Sequence, residues 1–182
     1  MNFVDKYLTG LEAAIHKLSR QDVSAVVEAL LVAWRADRQI FVIGNGGSAA
    51  TASHMMNDIN KLTISPGKRR FRGIALTDNM PLITAWGNDA AFADVFAEPL
   101  RNLMRKGDVL VVISASGNSP NLLEAVRVAR AEFGAQIRDF VNVDDVARAN
   151  LLALEDARAD YGVFNVGGDR RVTVNQFARV MA

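Results

Sequence analysis

Apolar residues at Phe3, Leu8, Leu11, Ile15 and Leu18 recur at helical spacing and predict a helix over residues 2–19. Val23, Val26, Val27, Leu30, Leu31 and Trp34 repeat the pattern over 21–35. Together they predict an N-terminal helical pair within residues 1–37. The pattern then changes. Residues 40–44 are a short apolar run ending in glycine, which reads as a parallel strand buried on both faces. A helix is predicted over 48–62, a second strand over 72–76, a short helix over 81–86 and a longer one over 91–104. Residues 109–114 form the clearest strand. Pro120 opens the next helix, which runs to Phe133, because the first helical position needs no N–H.

The alternation continues after Gly134. Residues 137–143 predict a strand, 144–155 a helix with Asp144 as N-cap, 162–166 a strand and 173–181 a closing helix. Strands alternating with helices imply a parallel sheet covered on both faces. The expected architecture is α/β. It is a three-layer α-β-α sandwich around a five-stranded parallel sheet, formed by one domain over residues 1–182.

Composition narrows the function little. The chain has 182 residues, half of them hydrophobic, and a net charge of +1, so bulk charge gives no reason to expect nucleic acid. It has no cysteine, which excludes disulfides and thiolate metal sites. Asp5, Lys6 and Glu12 interrupt the apolar N-terminus, which reads as an amphipathic helix and not a signal peptide. No apolar run is long enough to span a bilayer. The expectation is a cytoplasmic protein without a membrane partner.

The candidate chemistry lies where two strands end. Phe41-Val42-Ile43 runs into Gly44-Asn45-Gly46-Gly47-Ser48, and Val111-Val112-Ile113 runs into Ser114-Ala115-Ser116-Gly117-Asn118-Ser119. In an open α/β sheet, ligands gather beyond the carboxyl ends of the strands. Glycines let the backbone approach an anion, and the following helix offers unpaired N–H groups with partial positive charge. Ser48, Ser114, Ser116 and Ser119 add hydroxyls. Ordinary strand-to-helix turns also use Gly, Ser and Asn; two such turns together favour a phosphate site. The first turn is neither a dinucleotide fingerprint nor a nucleotide P-loop. Ala49 stands where the last glycine should, and no Lys-Ser or Lys-Thr follows.

Gly44-Asn45-Gly46-Gly47-Ser48-Ala49-Ala50, His54, Gly87-Asn88-Asp89, Gly107-Asp108-Val109-Leu110 and the serine turn occur in one order and spacing. In these strings residues 2–133 resemble the sugar-isomerase (SIS) domain proteins, specifically the phosphoheptose isomerase group. The resemblance implies a sugar-phosphate substrate such as sedoheptulose 7-phosphate, bound by Asn45, Gly46, Gly47, Ser48, Asn88, Asp89, Ser114, Ser116 and Ser119. It also implies a homo-oligomer, dimer or tetramer, with pockets at subunit boundaries, and a role in heptose supply for surface polysaccharide.

His54 and Asp58 are four apart and share one helix face. That spacing suits a shared metal, a base held by its neighbour, or a plain surface pair. The resemblance implies zinc on His54 and Asp58, with Asp58 as the proton-abstracting base. The family carries Glu there, so Asp58 is one methylene shorter. The family also carries a late histidine as acid. Here the only histidines are His16 and His54. The missing histidine leaves open a second reading, a non-catalytic phosphosugar-binding or regulatory protein-interaction module.

Residues 136–182 resemble instead the C-terminal part of NAD-dependent sugar epimerases, through Arg138-Asp139-Phe140-Val141-Asn142-Val143 and Tyr161-Gly162-Val163-Phe164-Asn165. The nucleotide-binding glycines and the Tyr-x-x-x-Lys pair of those enzymes are absent, so no NAD binding is expected. Lys68-Arg69-Arg70-Phe71-Arg72 reads as a solvated loop or a cationic lip, and Trp34 and Trp86 read as packing residues.

Overall fold

The computed structural model describes residues 2–140. Helix α1 spans Phe3–Lys17, with Asn2 Oδ1 accepting the Asp5 N–H at 2.9 Å. Helix α2 spans Arg20–Arg35 and is capped by Ser19, whose hydroxyl accepts the Asp22 N–H at 3.2 Å. The chain divides at Ile15, and His16–Asn142 form the larger unit, which contains the sheet.

Four parallel strands are described: β1 Gln39–Gly44, β2 Arg72–Ala75, β3 Val109–Ile113 and β4 Gln136–Phe140, in the order β2-β1-β3-β4. Between them lie α3 Gly47–Asn57, α4 Met80–Asp89, α5 Ala97–Leu103 and α6 Pro120–Phe133. β4 occupies the place expected for a strand over 137–143. The expected fifth strand over 162–166, its flanking helices and the rest of the epimerase-like tail lie outside the described residues.

β1 and β3 are buried almost throughout because both sheet faces are covered. Successive side chains alternate between the faces. Phe41, Ile43, Leu110 and Val112 join a core with Val95, Leu100, Leu122 and Val128 from the α5 and α6 side. Ile40, Val42, Val109 and Val111 join a second core with Ala33 of α2 and Ala52 and Met56 of α3. This is the α-β-α layering expected from the sequence. Trp34 stacks on Phe71 at 5.9 Å between ring centroids, and its Nε1–H donates to the Arg69 carbonyl at 2.8 Å. Arg69 and Arg72 in turn lie on Asp37, at 3.6 Å and 3.0 Å. The basic segment is therefore pinned to the corner between α2 and β1.

Three helices differ from their sequence expectation. The helix expected over 91–104 begins as a 3-10 turn, Phe92–Asp94, and α5 starts only at Ala97. Pro99 explains this: in a helix begun at 91 it would sit in the interior, without an N–H to donate. The short helix expected over 81–86 runs from Met80 to Asp89, with Asn79 Oδ1 capping the Leu82 N–H at 3.2 Å. The helix expected over 48–62 is α-helical only to Asn57 and closes in a π turn, Asp58–Leu62.

One buried carboxylate sets the lower end of the sheet. Asp108 Oδ1 accepts the Gln39 N–H at 2.9 Å, and Oδ2 accepts the Arg105 N–H at 2.8 Å. The start of β1 is thereby tied to the turn that begins β3. Replacing Asp108 with Ala leaves two amides without an acceptor and should cost about 3 kcal/mol. Asn, which keeps one acceptor, should cost about half as much. Urea unfolding of the two variants measures both values.

Candidate functional site

The register of the central strands sets Gly44 opposite Ile113, so the turns that follow β1 and β3 start side by side. Gly44 is required by this closeness. A Cβ there would lie 2.7 Å from the Ser48 carbonyl carbon and oxygen and 3.0 Å from the Ile113 oxygen. Gly46 precedes α3 with φ 53° and ψ −122°, a conformation for which glycine is the natural residue. Gly47 is the first residue of α3, and Ser48 is buried in its first turn. The Ser48 and Ala49 N–H groups bond the Asn45 carbonyl at 2.9 and 3.3 Å, so of the α3 amides it is that of Gly47, ahead of these bonds, that stands at the helix end.

The serine turn is organised by its own hydroxyls. Ser114 Oγ accepts the Gly117 N–H at 3.0 Å, and Ser116 Oγ accepts the Asn118 N–H at 3.2 Å. Each oxygen that accepts a loop amide keeps its own proton to donate to an anion. Ser119 is the N-cap residue of α6 and makes no side-chain capping bond. The two turns therefore bring serine hydroxyls and the starts of two helices together.

Asn121 joins the turns, and sequence reasoning missed it. It follows Pro120 in the first turn of α6 and is only 1% exposed. Its amide pairs reciprocally with Asn45: Asn45 Nδ2 donates to Asn121 Oδ1 at 3.0 Å, and Asn121 Nδ2 donates to Asn45 Oδ1 at 2.8 Å. Asn121 Oδ1 also accepts the Leu122 N–H at 3.0 Å. Asn45, expected to meet the ligand, thus spends its side chain on joining the two loops. The available signal was a polar residue in an otherwise apolar first helical turn.

His54 on α3 and Asp58 at the start of the π turn meet as their spacing predicts. His54 Nε2 lies 3.6 Å from Asp58 Oδ2, and the side chains are 76% and 45% exposed. Gly47, Thr51, His54 and Asp58 share one stripe of this helix, running from its N-terminal end to the carboxylate. Zinc takes three or four protein donors. No group of three His, Cys, Asp or Glu gathers among the described residues. The pair by itself does not fit zinc.

Asn88 and Asp89 close α4 and are exposed. Among the described residues their hydrogen bond is to each other, Asn88 Nδ2 to Asp89 Oδ1 at 2.7 Å, and neither bonds to the two turns. A cavity of about 550 Å3 lies elsewhere, between the α3 end and β2, where Ser53, Asn57, Asn60, Lys61 and Asp78 line it.

The SIS domain family description matches residues 2–137. Phosphoheptose isomerase from Bradyrhizobium sp. (strain BTAi1) is 38% identical over 126 residues, covering 69% of this chain and 63% of the relative. Phosphoheptose isomerase from Geobacter sulfurreducens is 35% identical over 145 residues, covering 74% and 75%. The chain spans about six tenths of the length of the two Bradyrhizobium relatives it matches. Among solved structures, phosphoheptose isomerase from Neisseria gonorrhoeae superposes with a TM-score of 0.64 at 28% identity, over 87% of this chain and 93% of that one. None of these relatives is an epimerase.

The Asn45–Asn121 pair generates a direct expectation. Asn121→Leu keeps the volume but leaves the Asn45 amide without its partner, while the Leu122 N–H keeps the Ser119 carbonyl at 3.0 Å. Stability should fall by about 2 kcal/mol. Calorimetric titration with a sugar phosphate should show at least tenfold weaker binding, because the two turns no longer hold one spacing.

Proposed function

Because the chain belongs to the SIS-domain family, we propose that it is a sugar-phosphate isomerase, interconverting a ketose and an aldose phosphate of the sedoheptulose 7-phosphate type. The observation that carries this is the junction of two anion-binding turns through Asn45 and Asn121 at the carboxyl ends of β1 and β3. The names of the Bradyrhizobium and Geobacter relatives support the choice of a heptose phosphate.

In this reading the amides of Gly46 and Gly47 and the hydroxyls of Ser48, Ser114, Ser116 and Ser119 hold the phosphate dianion. Asn45 keeps the turns in register. Asn88 and Asp89, exposed at the end of α4, serve a sugar that lies at a subunit boundary. Asp58 is the base. Its carboxylate takes a proton from C1 of the ketose, and the electron pair left behind forms the C1–C2 double bond of an enediol. The same carboxyl returns the proton to C2, while a proton passes from the C1 hydroxyl to the C2 oxygen. His54, beside Asp58, orients that carboxylate. The step moves protons and no hydride, so it uses no NAD. A cytoplasmic location goes with this reading, since a charged sugar phosphate made in the cell does not cross membranes unaided.

Turnover of sedoheptulose 7-phosphate, followed by aldose formation and by deuterium uptake from D2O, tests this reading. Asp58→Asn should lower kcat by a factor on the order of 10² to 10⁴ while binding changes little. Thermal stabilisation by the sugar phosphate without any turnover would mark a sensor. No stabilisation by any sugar phosphate would remove the reading altogether.

The same proposal includes self-association. Val23 and Val27 of α2, four apart on one face of the helix, are each 50% exposed, which leaves an apolar stripe uncovered within the unit. Light scattering should report a dimer or tetramer at micromolar concentration, and Val27→Glu should shift it towards monomer. A wild-type chain that stays monomeric would refute this part.

A further inference from the structure

The end of α3 is fastened to the sheet by one side chain. β2 is the outer strand of the described sheet, and its pairing with β1 sets Gly73 opposite Ile40. On the other side of β2, the backbone of Gly73 is met by the amide of Asn60. Asn60 Oδ1 accepts the Gly73 N–H at 3.0 Å, and Asn60 Nδ2 donates to the Gly73 carbonyl at 2.9 Å. A carboxamide has the same donor and acceptor as a peptide group, so Asn60 bonds the outer edge as a neighbouring strand would. The fit is close. A Cβ on Gly73 would lie 2.5 Å from Met56 Sδ and 3.2 Å from Asn60 Oδ1.

This clamp sits inside the π turn Asp58–Leu62, two residues beyond Asp58. Met56 and Asn60 both face β2, whereas Asp58 lies between them in sequence and turns away from it, towards His54. Fastening Asn60 to the strand therefore fixes the rotation of the helix end about its own axis. That rotation decides where the Asp58 carboxylate points. Neither His54 nor Asp58 is buried enough for packing to hold it, and an exposed ion pair stabilises too weakly to set a geometry.

We propose that Asn60 is a positioning residue for the proton-transfer carboxylate: its two hydrogen bonds to Gly73 lock the π turn and thereby aim Asp58. The inference rests on the isomerase reading for its catalytic consequence, but the positioning itself is a property of the fold. An Asp in place of a Glu has a shorter arm, so the backbone that carries it must be placed more closely. Errors of about 1 Å in such a group cost about a hundredfold in rate.

Asn60→Leu, similar in volume and without polar atoms, is the test variant. Two measurements are made on the full chain. The first is steady-state kinetics with sedoheptulose 7-phosphate. The second is the imidazole NMR spectrum, which is simple because the chain has only His16 and His54. The expected result is a ten- to hundredfold loss in kcat with KM within threefold, a displaced His54 signal and an unmoved His16 signal. Asn60→Gln, which keeps the carboxamide on a longer arm, should recover part of both; it also serves as the test variant if Asn60→Leu does not fold. Unchanged kcat with an unmoved His54 signal overturns the proposal. So does a loss of kcat accompanied only by a lower Tm, with the His54 signal in place. If the wild-type chain shows no turnover, the isomerase reading fails, and the His54 signal alone decides whether Asn60 positions the pair.

Discussion

The parallel pairing of β1 with β3 is the constraint on which the site depends. Five residue pairs, from Ile40 opposite Val109 to Gly44 opposite Ile113, hold the two strands in one register. A shift by one residue would send every side chain to the other face. Phe41 and Leu110 would leave one core, Val42 and Val111 the other, and the two turns would no longer start level. Burial of both faces makes that shift costly, so the hydrophobic cores are also what aligns the two turns.

Polar groups reinforce the pairing at its ends. Asp108 joins the lower ends of β1 and β3, and the Asn45–Asn121 pair joins the turns above. Both devices are largely buried, where an unsatisfied amide or carboxylate would be costly. Each polar atom involved has a partner, so these groups specify one arrangement. The His54–Asp58 pair follows a different rule. His54 and Asp58 stand in solvent, and their placement comes from the backbone of α3 and its π turn.

The sequence was most legible where one constraint dominates. β1 and β3 read as apolar runs because both faces are covered. The two turns read from glycine and serine, because the close backbone approach at Gly44 and the positive φ at Gly46 leave few other choices. His54 and Asp58 read from their spacing. The less legible parts are those where a distant residue overrides the local pattern. Residues 58–62 look α-helical in isolation, and Asn60 looks like a surface position until Gly73 lies beside it. Asn121 looks like a solvent-facing residue of a first helical turn until Asn45 is brought to it from 76 positions away. The helix expected over 91–104 was overextended for another reason: the position of Pro99, read against the pattern, would have signalled the later start.

By itself, the chain's order of apolar runs and turn residues determined the α/β class, the strand-to-helix rhythm and the two glycine- and serine-rich turns. These follow from periodicity and from local backbone chemistry, which act within a few residues. Only the tertiary structure decided that Asn45 and Asn121 hold the two loops together. Only it decided, too, which way Asp58 is aimed. Those outcomes depend on hydrogen bonds between segments far apart in sequence, and a carboxamide shows no sign of its partner until the sheet has assembled.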